Sequence, residues 1–171
     1  MRALNIGGRE RNAEGWETFD INPGDGVDHV GDARNPAATV KGPFDIVYSS
    51  HCFEHLEYGL EVLKNWRAIT APGGELYLSV PDMKVIGGLL ARPGNLPSTD
   101  LTLLAIIYGG HVDEHDVHVT GYTWNVLEDL LAQAGWRNRR RVVDLGWFKD
   151  TSSLLILGQP LSLNVRAVNG V

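Results

Sequence analysis

Apolar residues fall in short runs closed by turn-forming residues, with helical spacing between some of them. The segment 2–6, RALNI, reads as a short buried strand, 16–21, WETFDI, as a second, and 27–30, VDHV, as a weak third. FDIVYSS at 44–50 is rich in β-branched and aromatic residues and closes on small polar ones. From 56 to 70, Leu56, Leu60, Leu63 and Ile69 recur at helical spacing, with Trp66 and Ala68 between them. The A-P-G-G at 71–74 stops that helix, and ELYLSVP at 75–81 predicts the next strand. Strands alternating with helices imply right-handed βαβ units and a mostly parallel sheet.

Residues 82–122 break the rhythm, with Gly87-Gly88, Pro93, Pro97 and Gly109-Gly110 around a helix expected at 99–108. This is too long for a plain connection and predicts a lid or substrate-binding insert. The apolar positions of 99–108 nearly encircle the helix, which fits core packing, a dimer contact or a pocket wall equally well. A further amphipathic helix is expected at 123–134, with Thr123 as N-cap and Gly135 at C′. Two strands at 139–145 and 153–157 then predict an antiparallel hairpin, and the tail from Gln159 reads as loosely held. The expected organisation is a single domain over 1–158, with 82–122 as its insert and 159–171 as a tail.

Length and composition narrow the class. The 171 residues suffice for one domain with a full core, and 43% hydrophobic with 21% charged content is ordinary for a globular protein. No apolar run approaches the roughly 20 residues that span a bilayer, and polar GGRERN arrives too early for a secretory signal. The single cysteine, Cys52, excludes an internal disulfide, and the expected setting is cytoplasmic, without a membrane partner. A net charge of −6 argues against nucleic-acid binding. The one basic cluster, Arg137 to Arg141, reads as a solvated strand edge.

The candidate chemistry lies at the carboxyl ends of the expected strands, where open α/β sheets bind ligands. Asn5-Ile6-Gly7-Gly8 follows the first strand, Asp20 ends the second, Asp32 follows the third, and Ser50-His51 ends the fourth. An ionised carboxylate offers only acceptors, which suits Asp20 to ribose hydroxyls. A dinucleotide loop would read G-x-G-x-x-G with its acid about 20 residues on. Here Gly8 is followed by Arg9 and Glu10, and Asp20 stands 13 positions after Gly7, so any helix between them can hardly exceed two turns. Such a loop supplies little of the N–H nest that a pyrophosphate needs. A ligand with ribose and adenine but no phosphate fits better, and S-adenosylmethionine is one.

The segments LNIGG, GWETFD, FDIVYSSHCFEHL, APGGELYLSVPD and the late YTWNVLEDLLAQAGW stand in this order along residues 3–158. Together they resemble the class I S-adenosylmethionine-dependent methyltransferases, in the short-loop, methyltransferase type 11-like branch. The resemblance implies a doubly wound, mostly parallel seven-stranded α/β sheet, a Rossmann-like methyltransferase fold, closed by an antiparallel C-terminal hairpin. It implies that Gly7 and Gly8 lie against the methionine part of the cofactor and that Asp20 takes the ribose hydroxyls, with Asn5 and Ile21 among the cofactor-binding residues. It further implies that Asp32 and Ala33 flank the adenine and that Ser50 and His51 floor the site near the sulfonium. Arg9 stands where the family often has its second glycine. The branch implies a small-molecule or saccharide acceptor, and an uncapped pocket with an apolar insert suits a homodimer.

Two histidine-bearing stretches carry further chemistry. In HCFEH, His51, Glu54 and His55 stand at i, i+3 and i+4; the acid is misplaced for a zinc-protease motif, and Glu54 and His55 are expected to open the helix and bond the loop. In HVDEHDVHVTGY, the spacing of His111, His115 and His118 matches no defined metal motif, and a solvated polar loop is expected. His118 and Tyr122, where the insert returns to the cleft, are the catalytic candidates beside His51, with His118 as general base. Two rival readings stay open: a non-catalytic S-adenosylmethionine-binding protein, and a metal-dependent hydrolase using the histidine-rich insert.

Overall fold

The computed structural model describes residues 1–9 and 13–170. Residues 10–12 lie outside the described residues, and with them part of the stretch between Gly8 and Asp20 where the sequence allows a helix of at most two turns. Seven strands form the main sheet: β1 (Ala3–Ile6), β2 (Trp16–Asp20), β3 (His29–Val30), β4 (Phe44–Ser50), β5 (Thr70–Pro81), β6 (Trp136–Arg141) and β9 (Ser162–Asn169). Their order is β3-β2-β1-β4-β5-β9-β6. Pairings from β3 through β5 are parallel, and β9 runs antiparallel to both β5 and β6. Two short strands, β7 (Leu155–Ile156) and β8 (Gln159–Pro160), pair apart from this sheet.

The order reverses at β1 and β4, which leave the sheet on opposite sides. Their carboxyl ends therefore open a crevice. Both strands are buried on both faces, which explains their near-continuous apolar runs. Ile6, Phe19, Val47, Leu76 and Leu78 join Leu63 and Trp66 of α1 (Gly59–Ala68) in the main core. The Trp66 indole N–H also reaches the Ala33 carbonyl at 2.7 Å, tying α1 to the loop after β3.

Several boundaries differ from the sequence expectation. Helix α1 starts at Gly59 rather than near Leu56, because Phe53–His55 closes into a separate 3-10 turn and Tyr58 takes a left-handed φ of 59°. A helix over Gly87-Gly88 was not anticipated; α2 (Met83–Leu90) forms there because the Asp82 side chain accepts from the Lys84 and Val85 amides. α3 (Pro97–Tyr108) packs on α2, and Leu103, Ile86, Leu89 and Leu161 form a second small core. α4 (Trp124–Gln133) follows Thr123, whose side chain makes no cap bond, and Gly135 ends it at φ +88°.

The largest correction concerns the C-terminal segment. The antiparallel pair exists, but its second member is 162–169, not 153–157. The segment expected to trail loosely supplies β9, held between β5 and β6. Leu163, Val165 and Ala167 point into the core, and the Arg166 guanidinium clasps Glu75 on β5. The Asn169 amide donates to the Thr70 carbonyl at 2.8 Å. Strand β6 is the sheet edge, and its arginines are largely exposed, as the basic cluster predicted. Among the described residues no helix is long and apolar enough to cross a membrane.

Candidate active site

A cavity of ≈ 410 Å³ opens at the carboxyl ends of β1, β2 and β4. Gly7, Asp20, Ile21, Asp32, Ala33 and His51 line it, all anticipated at those strand ends. Gly7 has φ +74°, and a Cβ there would stand 2.5 Å from the Cys52 Cβ. The turn thus needs glycine for its backbone conformation and for close approach. Arg9 also adopts a left-handed φ of 46°. It occupies a conformation that glycine adopts without strain, while its amide donates to Asp20 Oδ2 at 3.1 Å.

Asp20 is nearly buried and accepts from two backbone amides, Arg9 on one oxygen and Asn22 at 2.9 Å on the other. Each carboxylate oxygen keeps acceptor capacity toward the cavity. Asp32 is committed differently. The Arg34 guanidinium grips it at 2.7 Å, and this hydrogen bonding holds its carboxyl below the ordinary carboxylate range. The Cys52 thiol stays protonated, pushed up to about 12 by burial, with Glu54 and Asp20 adding to the effect.

Residues 4–141 match the family model described as a methyltransferase domain. The chain belongs to this methyltransferase family. S-adenosylmethionine is the family's cofactor, and the sheet order is that of its Rossmann-like class I fold. Solved structures agree on the fold. The CurJ carbon methyltransferase superposes with TM-score 0.64 at 13% identity, over 100% of this chain and 49% of that one. A SAM-dependent methyltransferase from Archaeoglobus fulgidus gives 0.59 at 17% identity, over 98% and 85%. Human N-acetylserotonin methyltransferase, solved in complex with SAM, gives 0.55 at 14%, over 99% and 47%. This methyltransferase domain thus spans about half the length of CurJ and of the human enzyme. No curated protein sequence matches the chain.

The methyltransferase domain places some anticipated site residues elsewhere. Asn5, Gly8 and Ser50 do not line the cavity. Gly8 packs on Asn5 and Thr18, where a Cβ would meet the Asn5 amide at 2.5 Å, so these residues shape the turn from behind. Tyr122, expected at the acceptor, is a core residue: it is 1% exposed and stacks on Phe53 at 5.0 Å between centroids. Burial pushes its phenol up to about 12. His118 is also outside the cavity lining, with its Nε2 3.8 Å from Glu54 Oε1. Burial pushes its imidazolium below the ordinary histidine value, against the pull of Glu54.

His51 lines the cavity, with its Nε2 hydrogen-bonded and its Nδ1 facing a buried carboxylate without hydrogen-bond geometry. Nε2 lies 2.8 Å from Ser162 Oγ and Nδ1 3.2 Å from Glu54 Oε1. The Ser162 hydroxyl donates to the Thr151 carbonyl, so His51 Nε2 must be the donor in its own bond. His51 therefore forms a fixed wall beside the cavity rather than a free base.

The sequence reading did not assign His55, Leu56, Arg34, Val117 and Val119 to the site, yet all line it. His55 stands in the 3-10 turn after β4, and its Nδ1 donates to the Val117 carbonyl at 3.1 Å. The Val119 and Thr120 amides donate to the Glu54 carbonyl, so the end of the 82–122 segment is laced to the HCFEH turn. Asp113 approaches Arg9 at 3.6 Å across the opening. The two histidine-bearing stretches were each visible in the sequence; that they meet was not.

Proposed function

We propose that this methyltransferase domain transfers the methyl group of S-adenosylmethionine to a small-molecule or saccharide acceptor. The observation that supports it is the cavity at the strand ends with Asp20 on its wall. In this reading Asp20 takes the ribose hydroxyls, Gly7 admits the methionine moiety against bare backbone, and Asp32 and Ala33 flank the adenine. His51 walls the sulfonium region. The 82–122 segment acts as the lid, since Glu114, His115, Val117 and Val119 already border the cavity. The same reading includes a homodimer, because Leu101 and Leu104 on α3 are exposed.

Methyl transfer is an in-line displacement, and positioning two bound reactants can lower the barrier by about 7–11 kcal/mol. Two fixed walls, the Gly7 turn and His51, suit that task. The net charge of −6 favours an acceptor other than a polyanion.

Thermal unfolding with S-adenosylmethionine or its demethylated product tests the reading. Ligand at about 100 times its Kd should add about 2.7 kcal/mol and raise the midpoint by several degrees. Asp20→Ala should abolish most of that rise. An unchanged midpoint in the parent protein, or an equal rise in the variant, overturns the reading. Assay of saccharide and small-molecule acceptors with labelled cofactor then tests the acceptor class, and cofactor binding without turnover would favour the non-catalytic alternative.

A further inference from the structure

Glu54 has no solvent exposure, yet neither of its carboxylate oxygens makes a hydrogen bond among the described residues. His51 Nδ1 is within ion-pair range at 3.2 Å but outside hydrogen-bond geometry. A carboxylate removed from water without donors is costly, and native proteins seldom leave one so. What surrounds Glu54 gives its burial a purpose. One ligating atom from each of Glu54, His55 and His118 lies within 4.8 Å of the other two. The His55 and His118 rings meet edge-to-face, with centroids 4.5 Å apart.

The outer nitrogen of the His55 ring is already fixed. His55 Nδ1 faces the Val117 carbonyl, which can only accept, so that nitrogen carries the proton and Nε2 keeps a free lone pair. The His118 Nε2 faces Glu54 Oε1 at 3.8 Å. A backbone carbonyl holding one nitrogen so that the other can ligate is the usual outer support of a metal-bound histidine.

We propose that Glu54, His55 and His118 form a binding site for a divalent transition-metal ion, with zinc as its best match. Two imidazoles and one carboxylate are the ligand set of open zinc sites, leaving a fourth position free. Nitrogen-rich ligation disfavours magnesium and calcium, which take oxygen. Ligand atoms around a tetrahedral zinc at about 2.1 Å stand about 3.4 Å apart. The trio's ligating atoms, all within 4.8 Å of one another, would have to close by about an ångström to reach that spacing. The ion would join the HCFEH turn to the end of the 82–122 segment, which the two backbone bonds to the Glu54 carbonyl already hold in register. Because His55 lines the cavity, the free coordination position would face the acceptor side. A hydroxyl acceptor bound there would be more readily deprotonated. That last role rests on the methyl-transfer reading, but the site itself does not.

The test is titration of the full chain with Co²⁺, read by its visible absorption, and with Zn²⁺ against a chromophoric chelator. S-adenosylmethionine binding is measured separately on metal-free protein, so failure of either reading is seen alone. We expect saturation at one equivalent, a loss of at least about tenfold in Zn²⁺ affinity in His55→Ala and in His118→Ala, and no change in His111→Ala. Glu54→Gln should remove binding, but its buried position can impair folding, so the half-buried His55 carries the decisive variant. Absence of saturable binding, or undiminished affinity in folded His55→Ala and His118→Ala, overturns the proposal.

Discussion

His51 at the end of β4 is joined to Ser162 at the start of β9 by a 2.8 Å contact between Nε2 and Oγ. The last strand of the sheet thus positions a side chain that walls the cavity, 111 residues earlier in the chain. The same hydroxyl donates a hydrogen bond to the Thr151 carbonyl at 2.9 Å. Ser162→Ala removes both bonds and leaves a buried imidazole N–H without its acceptor. The expected cost is about 1–3 kcal/mol, read as a lower urea midpoint with unchanged m-value. A wild-type midpoint would show that the serine holds nothing.

Gly7→Ala tests the strand-end turn. The alanine would have to adopt φ +74° and displace Cys52, whose Cβ lies 2.5 Å from the new methyl group. Strain of about 1–3 kcal/mol is expected, together with at least tenfold weaker S-adenosylmethionine binding by calorimetry. Cofactor affinity equal to wild type would place the methionine moiety away from this turn.

Arg9→Gly should have little effect on the cofactor. The side chain is 62% exposed, and its contact with Asp113, at 3.6 Å, is a solvated ion pair. Such pairs contribute about 0–1 kcal/mol, so affinity should stay within about fivefold of wild type. A larger loss would make the guanidinium a cofactor ligand.

Glu75 and Arg166 predict an acid-sensitive sheet. The hydrogen bond from Arg166 holds the Glu75 carboxyl below its ordinary 4.5. A carboxyl depressed in the folded state contributes stability that is present above the unfolded value and disappears as pH falls through the folded one. Glu75→Gln should therefore lower the thermal midpoint at pH 7, and the gap to wild type should shrink below pH 4.5. A gap independent of pH would remove the ion pair from the stability of the β5–β9 contact.

The parallel half of the sheet was legible because β1 and most of β4 are buried runs, while the second half of β5 alternates apolar and polar residues before closing on a buried end. Asp20 and Gly7 were legible for a related reason: strand ends in such sheets face the crevice. The alternation in β9 is itself a strand signal that went unread; what no local pattern shows is its place between β5 and β6. In SLNVRAVN, small and polar residues alternate with Leu163, Val165 and Ala167, and nothing local shows that Arg166 has Glu75 for a partner. Tyr122 and His118 looked catalytic because both are reactive types near a predicted cleft. Their direction is set by Phe53 and Glu54, 69 and 64 residues away in the chain, which no local pattern reports. His55 was undervalued for the opposite reason. Its turn resembles a helix start in sequence, and the left-handed Tyr58 that separates turn from helix leaves no such signature.

The placement of β9 also constrains how the molecule is made. Synthesis supplies this strand after the other six, yet it sits one place in from the border, with neighbours on both sides. Until residue 169 has left the ribosome, the flank of β5 that β9 pairs with presents unpaired backbone amides and carbonyls. A nascent chain stalled before that point would carry a sticky open seam, an invitation to aggregation or to chaperone capture.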